Sequence, residues 1–161
     1  MKNKQSLYKW LYETYENDLF SYGIAFGISK ELLEDAIHDV FLHLYEREHK
    51  LWESQNMKFY LLNCLKNRIR TIKKKEMNTE FLEEGSDNYS FLIEVNGFEL
   101  IDEEKERAAM QKQLKKMLDS LTDRQREAVY LRYTQGLSYE EIGKLMGIPV
   151  SYTHLTLPTN R

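Results

Sequence analysis

The sequence predicts an all-α protein: two small helical domains joined by an acidic linker. Three observations point there. Apolar residues recur at spacings of three and four rather than two along most of the chain. Two Ser/Thr-x-x-Gln/Glu capping boxes stand close together near the C-terminal end, each followed by a glycine. Charge is segregated. Residues 1–75 carry 13 Lys and Arg against 10 Asp and Glu, residues 76–106 carry 1 against 11, and residues 107–161 carry 9 against 5. The formal net charge of −3 therefore conceals two basic blocks around an acidic one, and the overall pI says little about affinity for nucleic acid.

The first domain is expected over residues 5–75. Leu7, Trp10, Leu11, Tyr15 and Leu19 recur at helical spacing, and Gly23 and Gly27 weaken the pattern at its end. Ser29 offers an N-cap, with Glu31 and Glu34 placed to meet the helix dipole. Leu33, Ile37, Val40, Phe41 and Leu44 then form one apolar stripe. A third helix follows, with Met57, Tyr60, Leu61, Cys64, Leu65 and Ile69 on one face. Its other face carries Lys58, Lys66, Arg68, Arg70 and the run Lys73, Lys74, Lys75.

Residues 76–106 are expected to be the linker. The helical period is lost there, and acids and two glycines accumulate. Phe81, Tyr89, Phe91, Leu92, Ile93 and Phe98 are too apolar for a fully solvated tether, so parts of this segment are expected to dock. The second domain is expected over residues 107–148. Met110, Leu114, Met117 and Leu118 mark one amphipathic helix. Thr122-Asp-Arg-Gln125 opens another, which Gly136 ends. Ser138-Tyr-Glu-Glu141 opens a short third helix, with Leu137 and Ile142 at the staple positions and Gly147 at its end.

Composition excludes several classes of function. No stretch approaches the roughly 20 apolar residues of a membrane span. MKNKQSLYKW lacks the apolar core of an export signal, which predicts a cytoplasmic protein. The single cysteine, Cys64, forms no internal disulfide and lies among Leu61, Leu62 and Leu65, as a small buried hydrophobe would. His38, His43, His49 and His154 form no ligand cluster. No phosphate loop, nucleophile elbow or zinc spacing occurs, so neither catalysis nor a cofactor or metal is expected.

The helix from Lys58 to Lys75 is the candidate nucleic-acid surface. It holds seven positive residues and no acid, a density suited to neutralising phosphates. Asn67 adds an amide for a base or backbone. Trp52, Phe59 and Tyr60 are placed to stack on an unpaired base, although Phe59 and Tyr60 fit core packing better. A solvated basic face fits the charges equally well. Residues 121–148 have the dimensions of a helix-turn-helix, whose second helix enters the major groove. A plain helical hairpin is the alternative.

Three stretches resemble the sigma-70 family of bacterial RNA polymerase sigma factors, specifically the small extracytoplasmic-function type. In ELLEDAIHDVFLHLYE, Glu34-Asp35 and Asp39-x-Phe41 are similar to the family's core-polymerase-binding segment, with His38 where glutamine is usual. FYLLNCLKNRIRTIKKK resembles the next helix, which reads and melts the minus-10 element. LDSLTDRQREAVYLRYTQGLSYEEIGKLMGI is very similar to the start of the domain that binds the minus-35 element. The resemblance covers about residues 5–75 (region 2-like) and 107–148 (region 4-like). It implies polymerase binding through Asp35, His38, Asp39 and Phe41. It implies DNA contacts from Lys66, Asn67, Arg68, Arg70, Lys73, Lys74 and Lys75. Arg124, Arg126, Arg132 and Tyr139 would position the second domain on phosphates. The implied partners are core polymerase, promoter DNA and an anti-sigma factor, with no membrane insertion. The acidic linker would thread through polymerase toward the RNA path. Two further readings stay open: a helix-turn-helix regulator acting without polymerase, and a helical adaptor that binds no DNA.

The tail, residues 149–161, departs from the family pattern. A basic recognition helix is expected after Met146-Gly147-Ile148, but both prolines of the chain, Pro149 and Pro158, fall here, together with Thr153, Thr156 and Thr159. Val150 to Thr159 resembles the translation of a transposase-end sequencing adapter, identical over all ten residues. The expectation is a region 4 truncated at about Ile148, without its base-reading helix.

Overall fold

The computed structural model describes residues 4–47, 56–76, 89–94 and 103–148. The described residues form helices and connecting segments, with no strand among them. The helices are α1 (Lys4–Ile24), α2 (Lys30–Glu46), α3 (Met57–Glu76), α4 (Glu104–Asp119), α5 (Asp123–Tyr133) and α6 (Tyr139–Met146).

Helices α1, α2 and α3 pack on one another as a three-helix bundle. Helix α2 starts where expected: the Ser29 hydroxyl accepts from the Leu32 N–H at 3.2 Å. Its buried residues, Leu33, Ala36, Ile37, Val40, Phe41 and Leu44, are the anticipated stripe with Ala36 added. Helix α1 ends at Ile24, one residue after Gly23, and Gly23 also lets α2 approach. A Cβ at Gly23 would lie 2.2 Å from Cδ1 of Leu33, whose side chain is fully buried. Helix α3 buries Met57, Leu61, Leu62, Leu65, Lys66 and Ile69, while Tyr60 and Cys64 are only half-buried. The buried surface is thus wider than the single anticipated stripe. It extends to Leu62 and Lys66 because α3 has a second neighbour.

That neighbour is the C-terminal helical pair. Both capping boxes form. Thr122 accepts from the Gln125 N–H at 3.1 Å while Gln125 accepts from the Thr122 N–H at 3.0 Å. Ser138 and Glu141 repeat the exchange at 3.1 and 3.0 Å. Such reciprocal bonds satisfy amides that a helix start otherwise leaves open. Gly136 and Gly147 close α5 and α6 at φ of 72° and 68°, a region that side chains with a Cβ rarely occupy. Leu137 and Ile142 are both buried, as a hydrophobic staple requires. Helix α4 stands apart: it buries no residue, and Met110 and Met117 are exposed.

A short strap, residues 89–94, ties the pair to the bundle. The Leu92 N–H donates to the Ala25 carbonyl at 2.8 Å, and the Phe91 N–H donates to Asp123 at 2.9 Å. Phe91 is fully buried. It meets Phe26 of the α1–α2 turn edge-on at 5.0 Å and Tyr130 of α5 at 5.6 Å. Docking of the acidic segment therefore runs through Phe91, with Tyr89 and Ile93 half-buried beside it and Leu92 exposed. Phe81 and Phe98 lie outside the described residues, as does the whole tail 149–161. One hydrophobic cluster joins the bundle, the strap and the C-terminal pair.

Candidate nucleic-acid interface

Helix α3 divides its basic residues among its faces. Lys66 turns inward. It is buried, and its ammonium lies 3.1 and 2.9 Å from the two carboxylate oxygens of Glu127 on α5. Lys66 was expected as a phosphate contact, and in this arrangement a carboxylate occupies it. Arg68 lies on the α2 side and pairs with Asp39 at 2.8 Å, both roughly half exposed. Between these faces, Asn67, Arg70, Thr71 and Lys74 line a shallow hollow on the surface. Their spacing of i, i+3, i+4 and i+7 is one face of a helix. Thr71 is held there by donating to the Asn67 carbonyl at 3.1 Å. Lys74 and Lys75 are exposed at the end of this strip, and Lys73 is half-buried. Asp39, His43, Cys64 and Arg68 line an adjoining groove between α2 and α3. Trp52 lies outside the described residues, and Phe59 and Tyr60 are half-buried against the core.

The anticipated polymerase-facing group is likewise split. Asp35 and His38 are exposed on α2, and Asp39 is partly exposed. Phe41, expected as a polymerase contact, is not on that exposed surface. It is fully buried and packs against the Tyr12 ring at 4.7 Å and the Tyr8 ring at 6.2 Å. The large apolar side chain on the outer face is Leu42, 46% exposed. It lies seven positions after Asp35 and four after His38, and that spacing was its signal in the sequence.

In the C-terminal pair most of the candidate cations hold the fold. Arg132 donates to the Leu137 carbonyl at 3.0 Å, and its guanidinium covers the Tyr139 ring at 4.4 Å. Arg126 is buried and pairs with Asp123 at 3.1 Å. These two, expected as phosphate contacts, also fix the turn and the helix start. Arg124 donates to the Met146 carbonyl at 3.4 Å and is half-buried. Arg124 and Arg70 both add slightly to the disfavouring of charge on Lys66.

The feature that sequence reasoning missed is the polar cluster under this face. Glu127, fully buried, accepts from Lys66, from the Tyr22 hydroxyl and from the Tyr89 hydroxyl. Burial pushes the Lys66 ammonium below its ordinary pKa, with Glu127 opposing the shift. Burial first, and Glu127 second, push the Tyr22 phenol well above its own. Beside them the Tyr130 hydroxyl shares hydrogen bonds of 2.8 Å with Ser21 and with Gln135. The signal was there: Glu127 sits on the apolar side of α5, with Tyr130 and Leu131 one turn on. Cys64 is half-buried and burial raises its thiol pKa, so it is held as a thiol rather than a thiolate. No group of His, Cys, Asp and Glu suited to a metal ion occurs among the described residues.

Residues 111–151 match the family model for Sigma-70, region 4. No curated protein and no solved structure matches the chain. The region 4 match spans the second half of α4, both capping boxes and both C-terminal glycine turns, the frame on which the helix-turn-helix reading rested. The residues expected to be region 2-like, Asp35 to Lys75 among them, lie outside it.

Proposed function

We propose that this chain is a sigma factor of the extracytoplasmic-function type, which directs core RNA polymerase to promoters in the cytoplasm by binding rather than by catalysis. The observation that carries the reading is the Sigma-70, region 4 match on a doubly capped helix pair. Two surfaces support it. The strip Asn67, Arg70, Thr71 and Lys74 presents an amide, a hydroxyl and two cations along one helix face, the donor set that phosphates and unpaired bases take. Asp35, His38 and Leu42 form an exposed polar and apolar face on α2 for the polymerase. Among the described residues no helix is long and apolar enough to cross a membrane. An anti-sigma factor would be a further partner under this reading.

Reading of minus-35 bases needs a helix in the major groove after the Gly147 turn. We read Val150 to Thr159 as adapter-derived. Uninterrupted genomic codons for residues 150–161 would overturn that part. The functional test is an electrophoretic shift of promoter fork DNA with and without core polymerase. A shift that needs both the chain and the core enzyme supports the reading. DNA binding by the chain alone, with no capture of core, points to a regulator acting without polymerase. Capture of neither overturns both.

A further inference from the structure

Tyr8, Tyr12 and Tyr45 make a ring-lined surface where α1 meets α2, and the basic strip on α3 does not include it. We propose that this surface docks a basic segment of a partner protein, with an arginine or lysine side chain seated on the phenol rings. The inference goes beyond the proposed function. It involves neither α3 nor nucleic acid, so either can fail without the other.

Two helical stripes place the rings. Lys4, Tyr8, Tyr12 and Glu16 follow one another at intervals of four along α1, and Glu34, Phe41 and Tyr45 share a face of α2. Tyr8 meets Tyr45 edge-on at 4.9 Å and lies 6.4 Å from Tyr12, with the buried Phe41 ring packed against Tyr8 and Tyr12. All three phenol rings are half-buried. The core holds them, and part of each still meets solvent. A ring face is electron-rich and attracts cations, more strongly where water is partly excluded. The surface already seats one: the Lys4 ammonium lies over the Tyr45 ring, 4.6 Å from its centroid. Two acids stand beside the rings. The Tyr12 hydroxyl donates to Glu16, and burial, then Glu16, Tyr8 and Glu34, raise the Tyr12 pKa. Both carboxylates are exposed, and neither takes part in an ion pair among the described residues. Lys4 thus covers one ring of the three and neutralises neither acid. The remaining attraction is for cations and against phosphates, which fits a basic protein segment and disfavours nucleic acid. Arginine suits the seat best, because its planar head stacks on aromatic faces.

The test uses the full chain and a short fluorescein-labelled peptide alternating arginine and alanine, with glutamine in place of arginine in the control peptide. Anisotropy at low salt reads affinity, and circular dichroism checks helicity. Tyr45→Leu keeps an apolar side chain and changes no charge, so the acidic segment 76–106 cannot account for its effect. It should weaken binding of the arginine peptide about two- to fivefold, the range of an exposed cation–ring contact. Lys4→Gln vacates the seat and should tighten binding by a similar factor. Lys9→Gln removes the same charge elsewhere on α1 and should tighten it less. Glu34→Gln should weaken binding, and it keeps the test alive if Tyr45→Leu loses its helices. The Tyr45 ring signals in the proton NMR spectrum, assigned through Tyr45→Leu, should move on titration with the arginine peptide. Equal affinity for the two peptides, or Tyr45 signals that do not move, overturns the docking site. Equal gains from Lys4→Gln and Lys9→Gln overturn the seat on the ring. A labelled DNA strand whose binding is weakened by Tyr45→Leu overturns the choice of a protein partner over nucleic acid.

Discussion

Replacing Glu127 with glutamine isolates the electrostatics of the contact between α5 and the bundle. The substitution keeps the shape of the side chain and removes its charge. In the native chain both carboxylate oxygens lie within 3.1 Å of the Lys66 ammonium, and Tyr22 and Tyr89 donate to the same group. With glutamine, one oxygen remains to accept and an amide N–H₂ turns toward donors that have nothing to offer it. Lys66, with its side chain 8% exposed, is left charged and unpaired. Breaking a buried pair from one side costs about 3–5 kcal/mol, whereas an exposed pair is worth about 0–1 kcal/mol. Urea unfolding of wild type, Glu127→Gln, Lys66→Met and the double variant forms a closed cycle. The single variants should each lose several kcal/mol, and the double variant should recover much of it, since removing both charges leaves no orphan. A loss under about 1 kcal/mol for Glu127→Gln would mean that water reaches the pair. It would refute the packing of α5 on α3.

Three further outcomes follow from the same structure. Gly23→Ala places a methyl group against Leu33, which has no free space to retreat into; the overpacking should cost about 1–3 kcal/mol in the same urea assay, and a neutral result would deny the close crossing of α1 and α2. Tyr22 has its pKa raised in the fold, so its stabilisation is whole below about pH 10 and is lost as pH climbs from there through the folded value. Lys66, lowered by burial, acts in the opposite sense: the unfolded chain binds more protons than the folded one between the lowered value and about pH 10.4, so stability rises with pH there. Tyrosinate absorbance should show Tyr22, identified by Tyr22→Phe, ionising only with unfolding, and ionisation alongside exposed tyrosines would contradict its burial. Lys74→Ala on the exposed strip should lower DNA affinity and reduce the salt slope by about one unit, while leaving the urea midpoint within about 0.5 kcal/mol of wild type; an unchanged salt slope would remove Lys74 from the interface.

The parts of the molecule that sequence reasoning reached are those set by neighbours in the chain. Both capping boxes, the Ser29 cap and the glycine turns depend on residues three or four apart, and all formed. The α2 stripe was legible for the same reason. Phe41 belongs to that stripe and its ring lies in the core against Tyr12, while the family motif offered the same residue as a polymerase contact. Lys66 and Glu127 are 61 positions apart. Each looks like an ordinary solvated charge until α5 is laid on α3, and nothing local says that it will be. Arg126 and Arg132 show the same limit on a smaller scale. The resemblance offered them to phosphate, and the fold adds a nearby carboxylate and a turn carbonyl as partners that the sequence did not announce. Phe91 was marked only as too apolar for a linker, and its pocket is made by residues far from it in sequence on both sides.

Under the proposed function, this chain delivers polymerase to promoter DNA through α3. Crosslinking of a photoreactive minus-10 fork strand to the chain, with and without core RNA polymerase, tests it most directly. The account predicts a polymerase-dependent crosslink mapping to the strip around Asn67, Arg70 and Lys74. A crosslink that does not depend on polymerase, or one that maps away from α3, would contradict it.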